Sequence, residues 1–540
     1  MNRTRVWIVL ALCAAAMLTG GQLLRRALGG RGGVSGTRLF DQVLGHVERN
    51  FVDSLDADEL YRRAASGMVE ELHDPNSEVL DAKRASALTE STAGEYAGVG
   101  VQVDVRDGWL SVIATLPGGP AEQAGLRAGD RIVEVDSVAV TPRKADEARR
   151  GLRGKAGTKV ALLVERPGVV QRIPITITRA AIHLSAVRHS LMLAPGVGYV
   201  QLAIFSDSSA VQLRHAIEAL RGEGMRALLL DLRGDPGGLL TEGVEVADEF
   251  LARGDTVVSL RGRVASETRT ITDVAAERWP GLILMVLTDG GSASASELVT
   301  GAWQDHDRAA VVGSTTYGKG SAQSIFPLEG DSGALRLTTA LWYTPSGRSI
   351  QKRRRSADDS VTAADTMAEP PLASRKEYRT AAGRVVYGGG GITPDLIVAP
   401  QDSVDGETRL ARALGKDLPR FRDLVVDEAA AARASGAVKG TVITVTPAMR
   451  EQLWKLVQQH GLHLQRAQFD SAGAAVDRML GDEIARDALG SDAAFRQRLD
   501  SDRVVAAALA LASGATNERE VLQRAAERRA SHNEDVPHAP

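Results

Sequence analysis

Ile283-Leu284-Met285-Val286-Leu287 leads, after three intervening residues, into Gly291-Ser292-Ala293-Ser294-Ala295-Ser296-Glu297. An unbroken apolar run has no wet face, so it reads as a strand buried on both sides, as in helix-covered parallel sheets. The Gly/Ser run is a sharp turn, and Leu298, Val299, Ala302 and Trp303 then follow at helical spacing. The same order occurs upstream. Ala227-Leu228-Leu229-Leu230-Asp231-Leu232-Arg233 is another buried strand, running into Gly234-Asp235-Pro236-Gly237-Gly238 and a helix through Val244, Val246 and Phe250. Before it, Gly198-Tyr199-Val200-Gln201-Leu202 precedes a helical pattern through Val211, Leu213, Ile217 and Leu220 that stops at Gly222. Repeated strand-turn-helix units from residue 183 onward predict an α/β core with active groups at the strand ends.

The turns carry residues suited to acyl chemistry. After Ala309-Ala310-Val311-Val312 comes Gly318-Lys319-Gly320-Ser321-Ala322-Gln323. Serine and lysine together make a nucleophile without histidine, provided the lysine is neutral and so sits in a dry pocket. A serine at a strand-to-helix turn has its hydroxyl exposed beside helix-end amides, which stabilise an oxyanion. Pro236-Gly237-Gly238 offers further amides that a substrate can approach closely. On the residues alone, Ser292, Ser294 and Ser296 compete for the nucleophile. Each run taken singly reads as an ordinary loop or tight corner. Neither has the spacing of a phosphate-binding P-loop.

Composition narrows the field. A chain of 540 residues holds about three or four domains. The net charge is −3 and aromatic residues make up 4%, so neither a polycation nor a base-stacking platform is present, and nucleic acid is not an expected partner. The single cysteine, Cys13, lies near the N-terminus, and the ten histidines form no His-Glu-x-x-His pattern. No metal or cofactor is expected. Arg3 and Arg5 precede an apolar stretch from Val6 to Leu18, so residues 1–30 read as a signal peptide or uncleaved N-terminal anchor. The body of the protein is then expected in the periplasm or cell envelope.

Residues 36–92 read as a packed helical segment through Leu39, Val43, Val47, Leu60, Met68, Val69 and Leu72, broken at His73-Asp74-Pro75-Asn76-Ser77. Residues 93–182 read as a β-rich module. Its strand Gly98-Val99-Gly100-Val101-Gln102-Val103 and the string Ala121-Glu122-Gln123-Ala124-Gly125-Leu126-Arg127-Ala128-Gly129-Asp130 resemble a PDZ domain of the bacterial protease type. Such a domain holds a peptide carboxyl terminus on loop amides and adds the peptide as a strand. By that resemblance Gly98, Val99 and Gly100 form the carboxylate loop.

Taken in order, further pieces join these: Gln304-Asp305, Arg308-Ala309, Thr344-Pro345-Ser346-Gly347-Arg348 and Gly388 through Asp395. From about residue 36 to 400 the set resembles the carboxyl-terminal processing, or tail-specific, proteases. The resemblance implies a multidomain α+β protein: a crotonase-like α/β protease core over 183–400, an embedded PDZ domain, an N-terminal helical segment and a C-terminal helical extension. It implies Ser294 as nucleophile, Lys319 as general base and Gln323 as the residue orienting the lysine. The Ala295 amide with that of Gly237 or Gly238 would form the oxyanion hole. Gln323 comes close to Lys319 if the two share a helical turn, whereas four residues of strand span about 13 Å. Gly234-Asp235 departs from the family's usual pair of asparagines.

The expected activity is endopeptidase cleavage of exported or envelope proteins recognised by their free carboxyl termini. A non-catalytic PDZ scaffold on the same fold is the alternative. An acyl-CoA enzyme on that core is disfavoured by the export signal and the PDZ segment. Residues 352–380, starting Lys352-Arg353-Arg354-Arg355, read as a charged surface loop. Residues 401–540 read as helical, with Thr446 as N-cap, Pro447 at the first helical position and Gly461 as the stop. Leu453, Leu456 and Val457, then Phe495, Leu499, Val505 and Leu509, form apolar stripes suited to core packing, with adaptor docking or self-association as the functional alternative. The last ten residues are expected to be disordered.

Overall fold

The computed structural model describes residues 33–534, apart from 107–108, 117, 128, 142–143, 167–168, 170, 330–332, 353–373, 399–401 and 437–442. The proposed leader, the run Arg353-Arg354-Arg355 and the last six residues lie outside the described residues. The chain divides into two units. One is the N-terminal part to Ala82 with Gln323–Thr338; the other is Lys83–Ala322 with the chain from Thr339 onward.

In the first unit, helices Gly33–Asn50 and Ala57–Glu70 occupy the positions the periodicity predicts. Their packing differs from the expectation. Leu60 and Val69 are buried, but Leu39, Val43, Met68 and Leu72 are each more than half exposed. The sequence pattern sets the apolar stripe, while burial requires a facing layer that this stripe lacks among the described residues. The Asp-Pro turn closes on itself: the Asp74 carboxylate accepts the Asn76 N–H at 3.2 Å and the Ser77 hydroxyl at 2.7 Å. It delivers a short strand, Glu78–Leu80, that the periodicity did not reveal and that pairs antiparallel with Ala334–Arg336.

The second unit is built on a six-stranded sheet. Its strands, in spatial order, are Val187–Ala194, Val197–Leu202, Ala227–Asp231, Ile283–Thr288, Ala309–Gly313 and Leu396–Ile397. The first pair is antiparallel and every later pairing is parallel. Spatial order follows chain order, so the turns after Asp231, Thr288 and Gly313 emerge side by side at one edge. Helices Ser209–Gly222, Leu240–Asp248 and Ala295–Asp305 cover one face, burying Leu213, Ile217, Val246, Phe250, Leu298 and Trp303 against Leu228, Leu230 and Val286.

The opposite face is covered by the C-terminal extension. Phe495, Leu499, Val505, Leu511 and Val521 pack with Leu229, Met285, Leu287 and Val312 of the strands. Helices from Asp402 to Leu489 form a further core around Phe421, Leu453, Phe469 and Leu480. Thr446 caps its helix as expected, its hydroxyl accepting the Met449 N–H at 3.3 Å, and Gly461 follows the last turn at φ +64°. The apolar stripes are thus largely spent within the chain. Helix Glu518–Glu534 runs four residues into the tail that composition suggested was unstructured.

A β-rich module is inserted before the sheet. Strands Val101–Arg106, Trp109–Thr115, Arg131–Val135, Lys159–Glu165 and Ile173–Thr178 pair in that order, and helix Ala145–Gly151 packs beside them. Strand Glu95–Gly98 pairs with Ala180–His183 at the module's entry and exit.

Candidate active site

Three turns meet at the carboxyl edge of the parallel strands, the usual place for a site in such a sheet. Gly234 N–H donates to Asp289 Oδ1 at 2.8 Å, and Ala293 N–H donates to the Asp235 carbonyl at 3.0 Å. These bonds join the Pro-Gly-Gly turn to the serine turn. The approach is close: a Cβ on Gly237 would lie 2.6 Å from the Ala293 oxygen and 2.8 Å from Ser294 Cβ. Gly237 itself has φ +89°. Both constraints demand glycine there.

The three competing serines are in different states. Ser292 is buried and its hydroxyl donates to the Leu232 carbonyl at 2.8 Å. Ser296 is also buried, and its hydroxyl donates to the Asp235 carbonyl at 3.1 Å. Both fasten one turn to the other. Ser294 is half-buried and sits at φ +57°, ψ −112°, directly before helix Ala295–Asp305. A non-glycine residue in that region is strained, as nucleophiles on sharp strand-to-helix turns are. The Ala295 N–H therefore belongs to the first helical residue, whose amide has no partner within the helix.

Glu297 ties the serine turn to the lysine loop. Its Oε2 accepts the N–H of Ser294 at 2.9 Å and that of Lys319 at 2.8 Å. Its Oε1 accepts the Thr316 hydroxyl at 2.5 Å and the Gly318 N–H at 2.6 Å. The carboxyl is fully buried, which raises its pKa, and the donors around it act in the opposite direction. Sequence reading quoted Glu297 but missed this role. The available signal was its spacing, three residues after a serine that starts a helix, which is the capping-box arrangement.

Lys319 is half-buried between Gly318 and Gly320. Gln323 lies in strand Ser321–Pro327, so the helical-turn route to the lysine does not apply. Within its own unit, Gln323 Nε2 donates to Thr338 Oγ1 at 3.2 Å. On the oxyanion side, the Gly237 N–H is taken by Asp235 Oδ1 at 2.8 Å. Gly237 shapes the turn, and Gly238 is the candidate there with an amide not committed to Asp235. Asp235 is fully buried with Oδ2 unpartnered, and burial pushes its carboxyl up to about 7. In the β-rich module, Gly98, Val99 and Gly100 are all buried, with Gly100 at φ +71°.

The remaining quoted pieces converge beneath the serine helix. Arg348, fully buried, pairs with Asp305 at 2.7 Å and donates to Gln304 Oε1 at 2.8 Å. Gln304 Nε2 donates to the Thr393 carbonyl at 3.0 Å, and Val311 N–H donates to Asp395 at 2.9 Å. Sequence segments far apart in the chain thus hold one helix in place.

Parts of the chain match known protein families. Residues 196–361 match the model for peptidase family S41, and residues 112–166 match a PDZ domain. The carboxy-terminal-processing protease of Bartonella bacilliformis is 38% identical over 316 residues, spanning 58% of this chain and 72% of that protein. The chain belongs to peptidase family S41. Within the family, it is also similar to the carboxy-terminal processing protease CtpA of Bacillus subtilis, 30% identical over 379 residues, covering 69% of this chain and 80% of that one. Among solved structures, a photosystem II D1 C-terminal processing protease is 29% identical and covers 58% of this chain and 89% of that one, at a TM-score of 0.34. This S41 chain is accordingly a serine-type peptidase with a PDZ domain.

Proposed function

We propose that the chain is an endopeptidase that uses Ser294 as nucleophile and Lys319 as general base, and that its PDZ domain engages substrates by their free carboxyl termini. The strained backbone of Ser294 carries the reading, because the two flanking serines are committed to structural bonds. Ser294 Oγ attacks the scissile carbonyl carbon while Lys319 Nζ, neutral beforehand, takes its proton. The oxyanion is held by the Ala295 N–H and by the Pro-Gly-Gly turn, through Gly238 rather than Gly237. Lys319 returns the proton to the departing amine, and water then releases the acyl group by the same steps in reverse. Gln323 is assigned an orienting role through its strand.

The substrates proposed are exported or envelope proteins, on the strength of the N-terminal pattern. Among the described residues no helix is long and apolar enough to cross a membrane. Adaptor docking or self-association through the C-terminal helices has lost its motive, because most residues of their apolar stripes are buried in the chain's own cores.

The test uses an unfolded reporter with a free apolar carboxyl tail, incubated with wild type, Ser294→Ala and Lys319→Ala and followed by intact mass. Cleavage by wild type alone, lost when the tail is amidated, is the expected result. Cleavage by Ser294→Ala would overturn the nucleophile assignment. Equal cleavage of the amidated reporter would overturn carboxyl-terminal recognition while leaving the peptidase chemistry intact.

A further inference from the structure

Ser77, at the end of the Asp-Pro turn, is 7% exposed, and its hydroxyl works in both directions. It donates to Asp74 Oδ2 at 2.7 Å and accepts the Thr338 N–H at 3.0 Å. Asp74 also accepts the Asn76 N–H at 3.2 Å, and the ring of Pro75 between them fixes φ, so the turn holds one shape. The backbone ladder that follows the turn ends at the Glu78–Arg336 pair. Two residues further along the facing strand a side chain takes over, as Ser77 holds Thr338 by its amide. Arg336 fastens the same two segments, donating to the Asn76 carbonyl at 3.1 Å and pairing with Glu78 at 2.5 Å.

Thr338 carries the constraint to Gln323, which belongs to the same unit of the chain. The Thr338 hydroxyl accepts from Gln323 Nε2 at 3.2 Å. Threonine is branched at Cβ, so holding its backbone also restricts where its Oγ1 sits. Glutamine has a long side chain that is costly to order, and the two ends of its amide are chemically opposite. A lysine acting as general base aims its lone pair at the serine and has only N–H bonds left to offer. Those bonds suit the amide oxygen of a glutamine, and Thr338 holds the Gln323 amide by its nitrogen.

We propose that Ser77 and Thr338 are positioning residues for peptide cleavage, a relay from the N-terminal Asp-Pro turn that fixes the Gln323 amide in the orientation the lysine needs. This rests on the proposed Ser294–Lys319 chemistry with Gln323 as the orienting residue, and it adds what holds that residue in turn. Neither Ser77 nor Thr338 is given a contact with substrate, so their loss should appear in kcat and leave KM unchanged. Misplacing a catalytic group by about 1 Å can cost a hundredfold, and a relay acting at one remove is expected to cost about tenfold.

The experiment measures kcat and KM on the free-tailed reporter with the full chain carrying Ser77→Ala, Thr338→Val, Thr338→Ser or Gln323→Ala, and with Ser77→Ala and Gln323→Ala combined. Valine keeps the shape and the backbone N–H of Thr338 and removes its hydroxyl, so that variant decides the matter even where Ser77→Ala fails to fold. The expected result is a fall in kcat of about tenfold for Ser77→Ala and for Thr338→Val, with KM unchanged. Thr338→Ser should restore most of the rate, and Ser77→Ala should cost nothing further in the Gln323→Ala background. An equal loss from Ser77→Ala in both backgrounds marks a brace that does not act through Gln323 and overturns the relay. Normal kcat in Ser77→Ala and Thr338→Val, with Gln323→Ala impaired, also overturns it and leaves the Ser-Lys reading with its orienting glutamine intact. Normal kcat in Gln323→Ala removes the orienting role of Gln323, and the relay with it.

Discussion

Glu297 Oε2 accepts the backbone N–H of Lys319 at 2.8 Å, so a residue in the first turn of the serine helix also fixes where the lysine loop begins. The same carboxylate accepts from Ser294, Thr316 and Gly318, and each of its oxygens faces two donors. Glutamine cannot satisfy that arrangement, because either orientation turns an NH2 group against two donors. Glu297→Gln should therefore lower kcat by about a hundredfold or more through misplacement of base and nucleophile. It should also cost about 2–4 kcal/mol of stability, the usual result of breaking a buried charged hydrogen-bond centre. Cleavage kinetics and a denaturant melt check both, and near-normal kcat would refute the positioning role.

Ser294 stores backbone strain. At φ +57° an L-residue is disfavoured by about 1–3 kcal/mol, and glycine is not. Ser294→Gly should therefore be more stable than Ser294→Ala by about 1 kcal/mol after glycine's larger unfolded-state entropy is counted. Neither variant should cleave. Identical melting temperatures for the two would mean that the turn relaxes once the hydroxyl is gone.

Much of this site is legible in the sequence for a physical reason. Strands buried on both faces are uniformly apolar, and the turns between them must be glycine-rich where backbones cross, as at Gly237 against Ser294. Ala227–Asp231 and Ile283–Thr288 could therefore be read directly. What was hidden is pairwise. Nothing local to Glu297 says that its partners lie in a loop some twenty residues on, and nothing local to Ser292 and Ser296 says that their hydroxyls point into the neighbouring turn. The N-terminal helices show the converse: Leu39 and Met68 follow a clear period yet stay exposed, because periodicity records which face is apolar and not what covers it.

Asp235 should make stability, and with it activity, depend on pH. Burial raises its carboxyl to about 7, opposed by the Gly237 N–H it accepts and then by the Ser296 hydroxyl and Arg188. A carboxyl with a raised pKa binds its proton more tightly when folded, so its contribution is full below the unfolded pKa of about 4 and falls as pH rises toward 7. The loss is of order 4 kcal/mol at most. Asp248, also raised to about 7 by burial and by nearby Asp273, acts with the same sign, so the readout is the difference between wild type and Asp235→Asn. The asparagine variant should gain stability relative to wild type at pH 8 and little at pH 4. Its kcat/KM should also hold up above pH 7, where an ionised Asp235 opposes an oxyanion on the adjacent turn. Parallel pH profiles for the two proteins would remove Asp235 from both roles.

Gly237→Ala places a methyl group 2.7 Å from the Ala295 nitrogen and forces alanine to adopt φ +89°. The neighbours are backbone, which cannot swing aside as a side chain would. The variant should lose at least a hundredfold in kcat and about 2–4 kcal/mol of stability. Gly254→Ala, at φ +93° with open space around its Cβ, is the control for backbone strain alone. If both variants lose activity equally, the close approach of the two turns is not what matters.

The C-terminal helices are a layer of the peptidase fold and not an appendage. Leu229, Met285, Leu287 and Val312 belong to the strands that deliver the three turns of the candidate site, and their side chains are buried under Leu511, Val505 and Phe495. Arg233, at the end of the strand bearing the Pro-Gly-Gly turn, pairs with Asp502 at 2.7 Å, and Asp502 caps the helix that holds Val505 and Leu511. A chain shortened to end at residue 398 would leave that apolar face in water. It should aggregate or expand, bind a hydrophobic dye and show no cleavage. Leu511→Asp, which places a charge at a fully buried position, should cost more than about 4 kcal/mol and give the same outcome in the full-length chain. Asp502→Asn should be milder, at about 1 kcal/mol, because it keeps an N-cap acceptor and removes the ion pair. A shortened chain that stays monomeric and melts cooperatively at the full chain's temperature would show that the sheet needs no cover on this face.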